Sequence, residues 1–504
     1  MSVSVSTAPK SNSDWKKLAS ALHLEGRHFI DGHFVHAQGN SAFPTVNPAN
    51  QNILTQVARG QSADVNAAVQ AARAAFEKGS WSRMAPRARM ALMLRWANLI
   101  EQHSDDFALL DTLDMGKPIS EMLNVDIPLG LLCLRFTAEC IDKLSGRVGS
   151  TAHHVLSYVL HQPLGVVACI VPWNYPFLMT LWKIAPALAA GNSVVLKPAE
   201  QSPLSAPLLA RLFVEAGGPP GVLNVVQGLG EECGQALALH MDVDKIAFTG
   251  SGEVGKLMQI YAGQSNMKKV TTECGGKSPH VVMADVKDLE LAATWAAMGV
   301  FGNQGEVCCA GSRLIVERGI EKDFIEALRR KANELHRPGD PLDPATQMGP
   351  LVSREHQQRV LGYIDIARAE GAHCELGGQA PQGLEAGAYV SPTIFSQVNN
   401  SMRVAQEEIF GPVACVMVAE DFEDALRMAN HSRFGLAAGI WTRDVDKALR
   451  FARDAACGMV YVNSYMDGDM QMPFGGWKES GNGRDKCMEA IVSYTQSKGV
   501  WITL

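Results

Sequence analysis

Lys245-Ile246-Ala247-Phe248-Thr249-Gly250-Ser251-Gly252-Glu253-Val254-Gly255 joins a short apolar run to a glycine-rich turn and then to a helical pattern through residues 253–262. A strand feeding a helix through such a turn is half of a βαβ unit. The GxGxxG spacing lets backbone N–H groups at a helix N-terminus approach a pyrophosphate, although a turn of this kind also serves close packing alone. The same alternation recurs on either side. Further strand-like runs stand at 166–171, 193–196, 223–226, 280–283 and 314–316, and helical patterns at 63–78, 87–103, 204–216, 319–334 and 354–370. This predicts an α/β chain whose parallel sheets are covered on both faces.

The whole composition agrees with a large globular protein. There are 504 residues, 47% of them apolar, enough for about three domains. The 11 cysteines include no CxxC pair, which points to free thiols in a reducing, cytoplasmic setting rather than a disulfide framework. A net charge of −7 with only short basic doublets argues against a nucleic-acid or anionic-membrane surface. Residues 1–12 are polar and Ser-rich with no apolar signal core, and read as a flexible tail. The most apolar stretch, 164–196, is broken by Pro172, Asn174, Pro176, Lys183 and Pro186, so it reads as core plus a loop, not a membrane span.

Two segments carry candidate chemistry. Glu273-Cys274-Gly275-Gly276-Lys277 sets a carboxylate before a turn, and Phe301-Gly302-Asn303-Gln304-Gly305-Glu306-Val307-Cys308-Cys309-Ala310-Gly311-Ser312-Arg313 sets two thiols among turn formers. A cysteine in such a turn can meet a substrate while nearby N–H groups stabilise an oxyanion, with a carboxylate to activate water. Free cysteines are more often small buried hydrophobes, but Asn303, Gly305 and Ser312 do not form an apolar face. No further ligands at metal spacing accompany the doublet, so no metal is expected.

These segments resemble the NAD(P)-dependent aldehyde dehydrogenase superfamily over nearly the whole chain. The family pattern FxNxGQxCxAxxR is met from Phe301 to Arg313, with Glu306 for the usual Gln, and the glutamate motif has Cys274 where Leu is commoner. Pro172-Trp173-Asn174-Tyr175-Pro176, Lys197-Pro198-Ala199-Glu200, Gly250 to Gly255, Glu408-Ile409-Phe410-Gly411-Pro412 and Pro473-Phe474-Gly475-Gly476 complete seven motifs in order. Neither departure removes a catalytic atom.

The resemblance implies Cys308 as nucleophile, Asn174 and the Cys308 N–H as oxyanion donors, and Glu273 as the base that activates water against a thioester. For NAD it implies Ile170, Trp173, Lys197, Glu200, Gly230, Gly250, Ser251, Gly255, Glu408 and Phe410; a carboxylate at Glu200 would bind the ribose hydroxyls and repel a 2′-phosphate. Tyr175, Met179, Trp182 and Phe474 would line an apolar passage to the thiol. The loop Met466-Asp467-Gly468-Asp469-Met470-Gln471-Met472 has glycine where many relatives that take apolar aldehydes carry an aromatic. With Gly481-Asn482-Gly483-Arg484-Asp485-Lys486 it resembles the γ-glutamyl-γ-aminobutyraldehyde and aminoaldehyde branch, in which Asp126, Asp467 and Asp469 would favour an ammonium or amide tail.

The implied architecture is a Rossmann-like NAD domain from 13–143 and 164–275, a catalytic α/β domain over 276–480, and a β arm from 144–163 and 491–504 that pairs with a second subunit in a homodimer or homotetramer. Rival readings are a broad-range aliphatic or aromatic aldehyde dehydrogenase, a CoA-acylating relative that would not need Glu273, a cysteine hydrolase or acyltransferase, and a non-catalytic protein on an enzyme fold. Dependence on CoA and formation of NADH discriminate among them.

Overall fold

Seven strands make up the sheet that carries the glycine-rich turn. The computed structural model describes residues 10–504. This sheet runs in the order Lys269–Glu273, Lys245–Thr249, Val166–Ile170, Ser193–Lys197, Leu223–Val225, His28–Ile30, His33–Val35. The first five strands are parallel, and the hairpin of the last two is added antiparallel. Successive side chains of a strand point to opposite faces, and both faces are covered. Val167, Cys169, Val194, Leu196 and Ala247 enter a core with the helices Pro86–Gln102, Ile127–Glu139, Pro176–Ala189 and Ser205–Glu215. Val166, Ala168, Val195, Ile246 and Phe248 enter another, with Ser62–Lys78 and Gly252–Gln264.

Strand order decides where a ligand fits. From Val166–Ile170 the chain adds Ser193–Lys197 and Leu223–Val225 on one side, then crosses to add Lys245–Thr249 and Lys269–Glu273 on the other. Val166–Ile170 and Lys245–Thr249 are therefore neighbours whose connections leave in opposite directions. A crevice opens beyond the carboxyl ends of strands at such a switch point. Here it is bordered by Pro172 to Tyr175 and Thr249 to Ser251.

A second seven-stranded sheet runs His373–Leu376, Thr393–Ser396, Val413–Ala419, Arg313–Glu317, Pro279–Val282, Ala437–Trp441, Met459–Val462, parallel except for its first strand. It too has a core on each face, Ile315, Cys415 and Met417 turning one way and Leu314, Val316, Ala414 and Val416 the other. The third sheet is antiparallel and joins Arg147–Gly149, Val155–Pro163 and Thr495–Thr503.

The helical patterns occupy Ser62–Lys78, Pro86–Gln102, Ser205–Glu215, Glu321–Leu335 and Arg354–Ala369, within two residues of the bounds read from periodicity. The flexible tail expected over residues 1–12 lies outside the described residues as far as residue 9. Beyond that it needs correction, because Ser11 caps the helix Asn12–Ala21 through a reciprocal capping box with Asp14. The C-terminal segment read as arm from 491 begins as helix: Ile491 is in Cys487–Ser493, and with Tyr494 it is buried in the main core. Among the described residues no helix is long and apolar enough to cross a membrane.

Candidate active site

The crevice at the switch point continues into a cavity of about 530 Å³ between the two large sheets. It brings together Trp173, Asn174, Tyr175, Met179, Trp182, Gly250, Ser251, Glu273, Cys308, Glu408, Phe410, Asp467 and Phe474, which lie hundreds of residues apart in the chain. Four buried side-chain atoms on its wall have no protein hydrogen-bond partner: Thr249 Oγ1, both Glu273 carboxylate oxygens and Trp182 Nε1. Buried polar groups are nearly always paired, so a wall with several orphans is suited to a polar ligand.

Cys308 follows a strained turn. Asn303, Gln304 and Gly305 have φ of +46°, +57° and +73° in succession, a left-handed run that non-glycine residues rarely adopt. The turn is fixed by a side-chain network. Asn303 Nδ2 donates to the Asn174 carbonyl at 2.9 Å and to the Glu306 carbonyl at 3.2 Å, and Asn174 Nδ2 donates to the same Glu306 carbonyl at 2.7 Å. One Asn174 amide hydrogen is thereby used and the other is left over. Among the described residues the Cys308 N–H donates to no protein acceptor. Two donors thus remain beside the thiol.

Cys308 is half-buried and Cys309 buried, and both reach the cavity. The two thiols titrate as a pair. A hydrogen bond between them holds one ionisation below the ordinary thiol value, while that bond and burial push the other well above it. Cys308 is the more exposed member of the pair. Tyr465 anchors the far side by donating its hydroxyl to the Cys309 carbonyl at 2.8 Å.

Glu273 ends the strand Lys269–Glu273 and is 2% exposed. Burial, and then the Asp485 carboxylate, push its pKa well above the ordinary carboxylate range. Asp485 is itself in a buried ion pair with Lys183 at 2.7 Å. The Glu273 carboxylate lies against two backbone positions that only glycine leaves open: a Cβ on Gly475 or Gly483 would stand 2.8 or 2.6 Å from its Oε1. Glu408 accepts the Gly276 N–H at 2.9 Å, and burial raises its pKa to about 7.

Toward the outer end the wall is apolar, with Val125, Leu129, Leu178, Met179, Trp182, Tyr461, Met470 and Phe474, and carries Asp467. Two of the expected tunnel carboxylates need correction. Asp126 does not reach the cavity. It is fully buried and paired with Lys117 at 2.6 Å, whose ammonium packs on the Tyr175 ring, so its charge is spent inside the fold. Asp469 is exposed and accepts the Gln471 N–H at 3.1 Å, as a turn aspartate does, and is absent from the wall.

The profile of the aldehyde dehydrogenase family matches residues 34–500. Over 97% of its length the chain is 48% identical to an NADP/NAD-dependent aldehyde dehydrogenase, PuuC, of Escherichia coli (strain K12), covering 98% of that protein. The chain belongs to the aldehyde dehydrogenase family. Among solved structures, this aldehyde dehydrogenase is similar to the P. syringae indole-3-acetaldehyde dehydrogenase in complex with NAD+ and IAA, with 50% identity and a TM-score of 0.97 over 98% of this chain and 100% of that one. It is also similar to a γ-glutamyl-γ-aminobutyraldehyde dehydrogenase from Burkholderia cenocepacia, with 49% identity and a TM-score of 0.96 over 98% and 100% of the two chains.

The residues that the sequence assigned to a dinucleotide fall into two linked groups in this enzyme. Trp173, Gly250, Ser251, Glu408 and Phe410 border the cavity. Lys197, Glu200 and Gly230 stand farther along the strand ends: Lys197 pairs with Glu200 at 3.0 Å, and a Cβ on Gly230 would lie 4.0 Å from Glu200 Oε1. Ile170 is beside Lys197 in register on one side and Phe248 on the other, joining the groups. Gly255 lets the helix approach the sheet, since a Cβ there would meet the Cys274 sulfur at 2.7 Å. An unpartnered Thr249 hydroxyl beside the glycine-rich turn and the Glu200 carboxylate farther along the strand ends fit a dinucleotide.

The sequence reading missed several wall residues. His356 holds the Phe410 carbonyl through Nε2 at 2.6 Å and packs edge-on with Trp173, while Arg359 and Lys486 also line the cavity. Only Lys486 stood in a quoted motif, and nothing in linear spacing tied it to the thiol.

Proposed function

We propose that this aldehyde dehydrogenase oxidises a polar amino- or γ-glutamylamino-aldehyde to its carboxylic acid with NAD. The relative PuuC is named as NADP/NAD-dependent and the P. syringae structure holds NAD+, and the groups around Trp173 and Glu200 are suited to such a dinucleotide. When bound, it supplies the hydride acceptor that turns a Cys308 adduct into a thioester. The Cys308 thiolate adds to the aldehyde carbon, and the remaining Asn174 amide hydrogen and the Cys308 N–H hold the oxyanion. Glu273, whose buried carboxylate has a raised proton affinity, takes a proton from the water that hydrolyses the thioester. Glu200 beside Lys197 disfavours a 2′-phosphate, so NAD is preferred to NADP.

The observation that carries the substrate class is Asp467, the one carboxylate among the described residues on the mainly apolar outer stretch of wall, next to Gly468 at φ +146° where an aromatic wall is missing. A carboxylate there attracts an ammonium or amide tail. The test is NADH formation across amino, γ-glutamylated, aliphatic and aromatic aldehydes with the native enzyme and Asp467→Asn. A preference for amino over aliphatic aldehydes that survives Asp467→Asn unchanged sinks the electrostatic account. The apolar lining and the indole-3-acetaldehyde relative favour a second reading, a broad range of aliphatic and aromatic aldehydes. The enzyme works in the cytoplasm as a homodimer or homotetramer, its three-stranded sheet docking on a partner; the segments 13–143 with 164–275 form the NAD domain and 276–480 the catalytic domain.

A further inference from the structure

Lys486 is an unusual residue to find on this wall. Its ammonium lies 5.7 Å from the centroid of the Trp182 ring, and among the described residues no carboxylate stands within ion-pair distance of it. Its backbone is strained: Lys486 and Cys487 have φ of +63° and +42°, consecutive left-handed residues with side chains. Such strain persists only where the surroundings hold it, and here it sets Lys486 facing the cavity between the buried Asp485–Lys183 pair and the helix Cys487–Ser493. The neighbouring Trp182, nine-tenths buried, adds an indole N–H with no acceptor. Two unsatisfied donors, one of them cationic, therefore stand on the same stretch of wall.

We propose that Lys486, with the Trp182 N–H, is the recognition point for a carboxylate on the tail of the substrate. This rests on the reading of the cavity as the aldehyde passage and sharpens it. An ammonium alone would be drawn to Asp467 and repelled by Lys486, whereas a tail with both charges, such as the amino-acid end of a γ-glutamyl group, meets an opposite charge for each. The surrounding charges are consistent: burial lowers the ammonium's affinity for its proton more than the neighbouring Cys133 thiol and the Asp469 carboxylate raise it, a cost that an incoming carboxylate offsets.

The experiment compares kcat/KM for two substrate pairs in the native enzyme, Lys486→Met, Lys486→Arg and Trp182→Phe. The pairs are adipate semialdehyde against hexanal, and γ-glutamyl-γ-aminobutyraldehyde against γ-aminobutyraldehyde. Losing a charge-assisted contact should lower both carboxylate-to-partner ratios about tenfold or more in Lys486→Met, through KM rather than kcat. Lys486→Arg should restore most of the ratio, and Trp182→Phe should lower it by a smaller factor. If both ratios in a folded Lys486→Met enzyme stay within about twofold of the native values, Lys486 does not read the carboxylate. A native enzyme that prefers hexanal to both amino-bearing aldehydes would overturn the aminoaldehyde reading instead, and the adipate semialdehyde ratio would still decide the role of Lys486.

Discussion

Glu306 occupies a place where this family usually has glutamine, and its surroundings explain why an acid is tolerated. Its Oε1 accepts the Val352 N–H at 2.9 Å, its Oε2 is buried without a partner, and His356 is 3.8 Å away but held neutral by burial, with a pKa of about 4. Burial pushes the Glu306 pKa well above 4.5, which favours the neutral carboxyl, the form that resembles an amide. The sign of the consequence follows. Unfolded chains release this proton near pH 4.5 while the folded enzyme keeps it, so folding stability falls as pH rises through the interval between the two pKa values, by at most about 1.4 kcal/mol per pH unit. Glu306→Gln should therefore melt at the same temperature as the native enzyme near pH 4 and at a higher one at pH 8. Equal melting temperatures at both pH values would show that Glu306 is not held neutral. Asn174→Ala should lower kcat by about 10²–10³, the usual effect of losing an oxyanion donor, without change in circular dichroism; normal turnover would remove Asn174 from the reaction. At this scale the sequence was legible where a motif ties a residue to a role, as for Cys308 and Glu273. It was misleading for Asp126, whose partner Lys117 could be named only once the fold had folded the two together.

At the scale of elements, the alternation of apolar strands and amphipathic helices made the two sheets readable, because each strand must be apolar on both faces when helices cover both. The loop before Cys308 obeys no such periodicity. Its shape comes from close approach between distant backbone segments: a Cβ on Gly305 would stand 2.2 Å from the Gly411 carbonyl oxygen, at a residue with φ +73°. Gly305→Ala must therefore push the cysteine loop away from the segment that carries Glu408 and Phe410. Overpacking costs about 1–3 kcal/mol, and the left-handed conformation adds about 1–2 more. The expected outcome is a lower melting temperature together with a loss of turnover well beyond that of a surface substitution; an Ala variant with native melting and native kcat would mean that the turn can shift freely. His356 escaped notice for the same reason. It lies on the helix Arg354–Ala369, whose pattern in sequence is that of any surface helix, yet its imidazole pins the Phe410 carbonyl beside it on the cavity wall.

Across the whole molecule, the strand order explains both the site and the exposed sheet. The switch between Val166–Ile170 and Lys245–Thr249 opens the crevice at one end of the first sheet. Val155–Pro163 comes just before the parallel strands of that sheet and Thr495–Thr503 after the second sheet is complete, and the two runs pair over nine residue pairs outside both cores. That antiparallel sheet keeps Val148 77% and Trp501 67% exposed, and its outer strand Thr495–Thr503 is a nine-residue edge of the kind that recruits another chain. The subunit contact proposed above would cover an apolar surface that a monomer leaves in water. Trp501→Glu, or Val148→Asp, should shift the enzyme to smaller assemblies in sedimentation velocity while leaving its circular dichroism unchanged, because neither side chain enters a core. The active cavity lies between the two large sheets of one subunit and borrows nothing from this surface, so the dissociated variants should retain the Cys308 chemistry and lose thermal stability first. An unchanged sedimentation coefficient in both variants would place the subunit contact elsewhere on the molecule.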